Sequence, residues 1–229
     1  MAQSQFDNDN KRLTTNSLLI AFLCFISTFT AHAKETTWSS STYERTPSRL
    51  IIANLQPTAE PKDASKETTR LPPHIDLNLI GQASFSYLFW DVYDSYLFGP
   101  EGAVFSANFG DNFPSDATAK AKLPLSLVIT YKRDIKASDL IDSTKEQWQH
   151  LGIPSSEFEP YLPILRQWPN LSKGDELALV VYADFSVFFY NQKFLSLQEN
   201  PQFGFDFVSI WLSPKTSEPK LRKKLLSHK

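Results

Sequence analysis

Between Leu77 and Phe89, apolar or small residues fall at every second position: Leu77, Leu79, Gly81, Ala83, Phe85, Tyr87 and Phe89, with Asn78, Gln82, Ser84 and Ser86 among the residues between them. A period of two predicts a long strand with one face buried. After Phe89 the parity reverses, and Trp90, Val92, Tyr96 and Phe98 hold the apolar places while Asp91, Tyr93 and Ser95 alternate with them. A turn or bulge near Phe89–Trp90 reconciles the two halves. A single bulge would place Ser84, Ser86, Asp91, Tyr93 and Ser95 on one face. That face has two readings: the solvated side of an antiparallel sheet, or a polar line along a cleft.

Further apolar runs predict strands at Leu123 to Tyr131, at Asp175 to Ala183, and across "SVFFYNQKFLSLQE", the last folded as a hairpin hinged near Asn191–Gln192. Helical spacing appears between them. "ASDLIDSTKEQWQHL" puts Leu140, Ile141, Thr144, Trp148 and Leu151 on one stripe, with Ser138 as the expected cap. "PSSEFEPYLPILRQWP" is less regular, because Pro160 and Pro163 must start or kink a helix. "NPQFGFDFVSIWLSP" begins with Asn200 as cap and Pro201 at the first helical position, then buries Phe203, Phe207, Val208 and Trp211. "SEPKLRKKLL" supplies a last helix. Strands, two helices, strands and two helices predict an α+β fold, with helices grouped on one side of a mainly antiparallel sheet.

The N-terminus has a different pattern. A polar leader with Lys11 and Arg12 precedes the apolar run "SLLIAFLCFISTFT" and then "AHA", the arrangement of a signal peptide cleaved after Ala33. The run is shorter than the roughly 20 apolar residues of a spanning helix, so a retained anchor is the alternative reading. Cys24, the one cysteine, would leave with it, and a mature chain without thiols suits a periplasmic or secreted location. Residues 34–73 are rich in Ser, Thr, Pro and charge and predict a flexible linker. Within them "RLIIANL", Arg49 to Leu55, is apolar enough to add an edge strand or to pack against the domain. Residues 74–229 are then the folded domain. A formal net charge of −2 offers nothing to recruit nucleic acid or an anionic membrane.

The succession "GQASFSYLFWDVYDSYLF", "LPLSLVITYKRDI", "KGDEL", "FFYNQKFL" and "FGFDFVSIWLSPKTSEPKLRKKLL" resembles the bacterial branch of the chalcone isomerase-like superfamily, over nearly all of Asp76 to Leu226. The resemblance implies an open-faced β-sandwich, in which a large sheet packs against helices with an apolar cleft between. Members include plant enzymes that cyclise chalcones to flavanones, plastid proteins that bind fatty acids, and members without catalysis. In the enzymes an arginine on the strand matching "GQASFS" stabilises a developing enolate, and in the fatty-acid binders it holds the carboxylate. Either task needs a cation where negative charge sits or develops. This chain offers Ser84 and Ser86 there, and no Lys or Arg between Arg70 and Lys120. Tyr93, in "DVYDSY", matches the family's strand tyrosine, whose hydroxyl can hydrogen-bond a ligand oxygen.

Other chemistry finds no pattern. His74, His150 and His228 have no metal-ligand spacing, no G-x-S-x-G elbow occurs, and the few glycines form no phosphate loop, so no metal or cofactor is expected. Lys132, Arg133 and Asp134 in "YKRDI" read as a surface ion pair at a strand end, or, if Arg133 turns toward the cleft, as a substitute for the absent arginine. "KLRKKLL" reads as lysines complementing a helix dipole, or as a basic face for an acidic partner or lipid headgroups. The expectation is an exported, non-catalytic chalcone isomerase-like protein that binds a small apolar or amphiphilic, fatty-acid-like ligand, with Ser84, Ser86, Tyr93, Tyr131 and Arg133 as candidate contacts. The alternatives are an intramolecular lyase or isomerase using Tyr93, and a structural or partner-binding protein whose cleft is filled by its own side chains. No protein partner is indicated.

Overall fold

Alternating inward and outward residues build eight strands that hydrogen-bond in sequence order, every neighbour antiparallel. In the computed structural model, which describes residues 41–53, 74–103, 105, 109 and 122–227, they are β1 (Thr42–Arg45), β2 (Arg49–Ala53), β3 (His74–Tyr87), β4 (Trp90–Gly99), β5 (Leu125–Tyr131), β6 (Glu176–Val181), β7 (Ser186–Tyr190) and β8 (Lys193–Gln198). The expected open-faced sheet is instead closed into a barrel. Thr42 pairs with Lys193, and the Phe194 amide donates to the Ser41 carbonyl at 3.0 Å, so β1 joins β8. The α+β class holds, because among the described residues five helices accompany the strands: α1 (Ala137–His150), α2 (Ser155–Phe158), α3 (Leu162–Leu165), α4 (Pro201–Leu212) and α5 (Pro219–Leu225), with a 3-10 turn at Glu159–Tyr161.

Both faces of the central strands are buried, which is why β6 is buried at every position. The barrel interior is filled by Tyr43, Leu50, Ile52, Leu77, Phe98, Val128, Ala178, Val180, Val187 and Phe189. The outer face, carrying Leu127, Ile129, Leu177, Leu179 and Phe188, is covered by α4 with α1 stacked behind it. Trp148 of α1 is fully buried, stacks on Phe158 at 5.6 Å, and meets Tyr161, Phe203 and Phe207 edge-on. Its indole N–H donates to the Asp206 carbonyl at 2.9 Å, so the polar atom of a buried ring is satisfied.

Two glycines set how closely the helices approach. A Cβ on Gly81 of β3 would lie 2.4 Å from the carbonyl oxygens of Lys224 and Leu225 at the end of α5, and one on Gly204 of α4 would lie 1.8 Å from the Ser186 hydroxyl of β7. Only a residue without a Cβ permits either contact.

Several expectations meet the structure at particular residues. The β7–β8 hairpin turns at Asn191 and Gln192, both with positive φ, as a two-residue turn matched to strand twist requires. Asn200 caps α4, its side-chain oxygen accepting from the Gln202 amide at 3.0 Å. Ser138 does not cap α1. It lies inside the helix and its hydroxyl bonds Asp139, while the Ala137 amide is met by the Asn170 side chain at 2.9 Å, from a loop far along the sequence. The segment from 34 to 73, expected as a linker, contributes two barrel strands. β2 is internal, between β1 and β3, and not an edge. The remainder of that segment, the proposed signal peptide and His228 lie outside the described residues.

Candidate functional site

Of the turn or bulge expected near Phe89–Trp90, the stretch has both: it is a hairpin that also carries a bulge. β3 turns into β4 through Leu88 and Phe89, with Tyr87 opposite Trp90 and Ser86 opposite Asp91. Tyr93, not Val92, then pairs with Phe85, so Val92 is the extra residue. That one insertion divides the candidate residues between the two faces of the sheet.

On one face Ser84 donates to Asp94 at 2.5 Å and Ser86 to Asp91 at 2.6 Å, and Lys132 pairs with Asp94 at 2.9 Å. Both serines are exposed. The Asp94 carboxyl is held below its ordinary range, since the hydrogen bonds from Ser84 and Lys132 and the Lys132 charge outweigh the cost of its partial burial. The five residues expected on one face are therefore not together: Ser84, Ser86 and Asp91 lie on the solvated side, and Tyr93 and Ser95 on the other.

The other face turns toward the helices. Phe85 stacks on Tyr93 at 5.2 Å, Tyr93 meets Tyr131 across the β4–β5 pair at 6.3 Å, and the Trp211 indole N–H of α4 donates to the Tyr93 hydroxyl at 3.0 Å. Register places Phe85, Tyr93 and Tyr131 side by side on three strands, and the helical period of α4 aims Trp211 at them one turn after Phe207, 5.6 Å from that ring. Phe85, Tyr93 and Trp211 are only half-buried, so the group opens at the surface, whereas Tyr131 is buried. Burial raises both phenols well above their ordinary range, and the Trp211 hydrogen bond only partly opposes this at Tyr93. At neutral pH both are therefore neutral hydroxyls. Trp211 was expected as core; its place beside Tyr93 was not foreseen, although the i, i+4 spacing from Phe207 carries the signal. Arg133 follows β5 two residues after Tyr131 and is half-buried.

A second cluster was not foreseen at all. Inside the barrel Glu176 accepts from the Tyr43 hydroxyl, from Arg45 Nε at 2.9 Å and from the Thr130 hydroxyl at 3.1 Å, while the Arg45 guanidinium lies over the Tyr96 ring at 4.4 Å. Burial and the Glu176 charge drive the Tyr43 phenol far upward. Here is a half-buried cation, contributed by the segment expected to be a linker. It occupies the opposite face of the sheet from Tyr93, because Tyr96 and Thr130 face inward while Tyr93 and Tyr131 face the helices. With its charge met by Glu176, Arg45 has no oxyanion to stabilise at the aromatic group.

The chain is thus an α+β protein, an eight-stranded antiparallel barrel with helices on its outer face and a half-open aromatic group where they meet. No family model matches it, and no curated protein does. Among solved structures it is similar to the crystal structure of a fatty-acid binding protein of Arabidopsis thaliana, at 9% identity and a TM-score of 0.44, over 66% of this chain and 86% of that one.

Proposed function

We propose that the protein is exported, to the periplasm or beyond, and there holds a small apolar or amphiphilic, fatty-acid-like ligand without transforming it. The observation that carries the reading is the group of Phe85, Tyr93, Tyr131 and Trp211: contiguous aromatic surface, half open, with neutral hydroxyl and indole groups as its polar atoms. Apolar walls with a few placed polar groups are what small-molecule sites consist of. The sequence resemblance to chalcone isomerase-like proteins supports the same reading, and the signal-like N-terminus supports export.

Catalysis by enolate stabilisation has no support at this wall. A neutral phenol donates one hydrogen bond and supplies little charge, and the half-buried Arg45 lies on the other side of the sheet, bound to Glu176.

Native mass spectrometry of protein purified without detergent tests the proposal. A retained small molecule is expected, with occupancy reduced when Trp211→Ala removes ring surface and less so when Tyr93→Phe removes only the hydroxyl. A clean unliganded mass in repeated preparations, with no uptake of added oleate, would refute it and favour the partner-binding alternative.

A further inference from the structure

Leu88, Phe89 and Trp90 are consecutive and are 75%, 96% and 65% exposed. Single exposed apolar residues are ordinary, but three adjacent ones at one apex form a patch that needs a partner phase. The apex ends a two-stranded finger. Among the described residues β2 pairs with β3 only as far as Asn78, and the chain of β5 follows β4 only as far as the Lys132 amide on the Val92 carbonyl, so the end of the hairpin extends beyond these neighbours on both sides. Leu88 has φ +54°, the left-handed region where glycine or asparagine would be at ease. The turn thus carries a large apolar side chain where local conformation favours a small or polar one.

Below the apex runs a polar collar, the Ser86–Asp91 and Ser84–Asp94 hydrogen bonds with Lys132 on Asp94. Trp90, the least exposed of the three, stands at the boundary between apex and collar. We infer that this hairpin tip inserts into the interfacial layer of an uncharged lipid bilayer. A convex tip of Leu, Phe and Trp needs no preformed socket in a fluid interface, and a Trp at the polar boundary matches the place this side chain takes in membranes. The collar holds two carboxylates against one ammonium, so it is complementary to zwitterionic lipid and not to an anionic surface. The inference rests on the tip alone and stands whether or not the aromatic group holds a ligand.

The test uses the full chain with Cys24→Ser and a single new cysteine, at Phe89→Cys or at Asp184→Cys, labelled with an environment-sensitive fluorophore. Asp184 follows β6 at the opposite end of the barrel from Tyr131 and is exposed. Phosphatidylcholine vesicles should shift the label at 89 to the blue with a several-fold rise in emission, and leave the label at 184 unchanged. Attachment through the N-terminal apolar run alone would leave both labels in water. That result, or a response at 89 that requires phosphatidylserine or is abolished by salt, would overturn the inference. To exclude an effect of the label, brominated phosphatidylcholine should quench tryptophan emission in the unlabelled wild type, and less in Trp90→Phe; equal quenching in both would also overturn it.

Discussion

Replacing Arg45 by methionine separates the two clusters, because it removes the half-buried cation and keeps most of the apolar stem. In the folded protein the guanidinium side chain is 21% exposed, and the Glu176 side chain that receives it is 9% exposed. Arg45→Met leaves that carboxylate inside the barrel with only the Tyr43 and Thr130 hydroxyls as side-chain donors. Breaking a buried pair from one side costs about 3–5 kcal/mol. The residual exposure of Arg45 and the surviving hydroxyl bonds lower that figure, while the lost contact with the Tyr96 ring adds about 0.5–1 kcal/mol. A net loss of about 2–4 kcal/mol follows, or roughly 4–16 °C in Tm for a domain of this size. Urea unfolding followed by far-UV circular dichroism measures it. Binding of a fluorescent fatty acid to the folded variant should stay within about twofold of wild type, since Arg45 and the aromatic group lie on opposite faces of the sheet. A stability loss under about 1 kcal/mol would refute the reasoning on the pair, and a collapse of fatty-acid binding in a folded Arg45→Met would refute the separation of the faces.

Three further outcomes follow from the packing. The buried Asp206 carboxyl is pushed up to about 6 by its burial, against the opposing hydrogen bonds of Gln202 and Tyr161. The native state therefore binds more protons than the unfolded chain between about pH 4 and pH 6, and this group's contribution to stability falls as pH rises through that window, by at most about 3 kcal/mol, then levels off. Asp206→Asn should remove that component, seen as a wild-type minus variant difference in urea unfolding that declines from pH 4 to pH 6. Gly81→Ala should cost about 1–3 kcal/mol, because the new methyl meets backbone carbonyls of α5 that cannot rotate away; hydrogen exchange over Leu221–Leu225 should quicken, and unchanged exchange would count against the contact. Gln192→Gly should stabilise by about 0.5–1 kcal/mol in thermal unfolding, since position 192 has φ +67° and glycine adopts it without strain.

Where the determinants of an element are local, the sequence shows them. The β7–β8 turn follows from two hydrophilic residues between alternating runs, and the start of α4 from Asn200–Pro201. What it hides depends on distant partners. "TYER" reads as linker because Tyr43 is its only apolar residue, yet Tyr43 and Arg45 are drawn into the barrel by Glu176, more than a hundred residues away. Barrel closure rests on the short β1 meeting β8, which no pattern within either strand encodes. The cap of α1 comes from Asn170 across the fold, so Ser138, correctly typed for the role, is left inside the helix.

The candidate site was half legible for a related reason. Tyr93 and Tyr131 are adjacent because β4 pairs with β5 in the register their alternation allows. Ser84 and Ser86 were grouped with Tyr93 on the assumption of one irregularity in the stretch. Between Leu77 and Phe98 the chain uses three, an extra residue at Ile80, a turn at Leu88–Phe89 and an extra residue at Val92, and each changes which face the following residues occupy.

The most direct measurement is a titration of the protein with oleate, followed by the indole N–H resonances of its tryptophans in a nitrogen-correlated NMR spectrum. Trp211 donates its indole proton to Tyr93 at the proposed binding surface, while Trp148 donates to the Asp206 carbonyl deep in the helical layer and provides an internal reference. If an amphiphile lies against Phe85, Tyr93 and Trp211, the Trp211 signal moves in a saturable way and that of Trp148 stays in place. A Trp211 signal that does not respond while oleate is in excess, or one that moves only together with Trp148 as the fold loosens, would contradict the ligand-binding role.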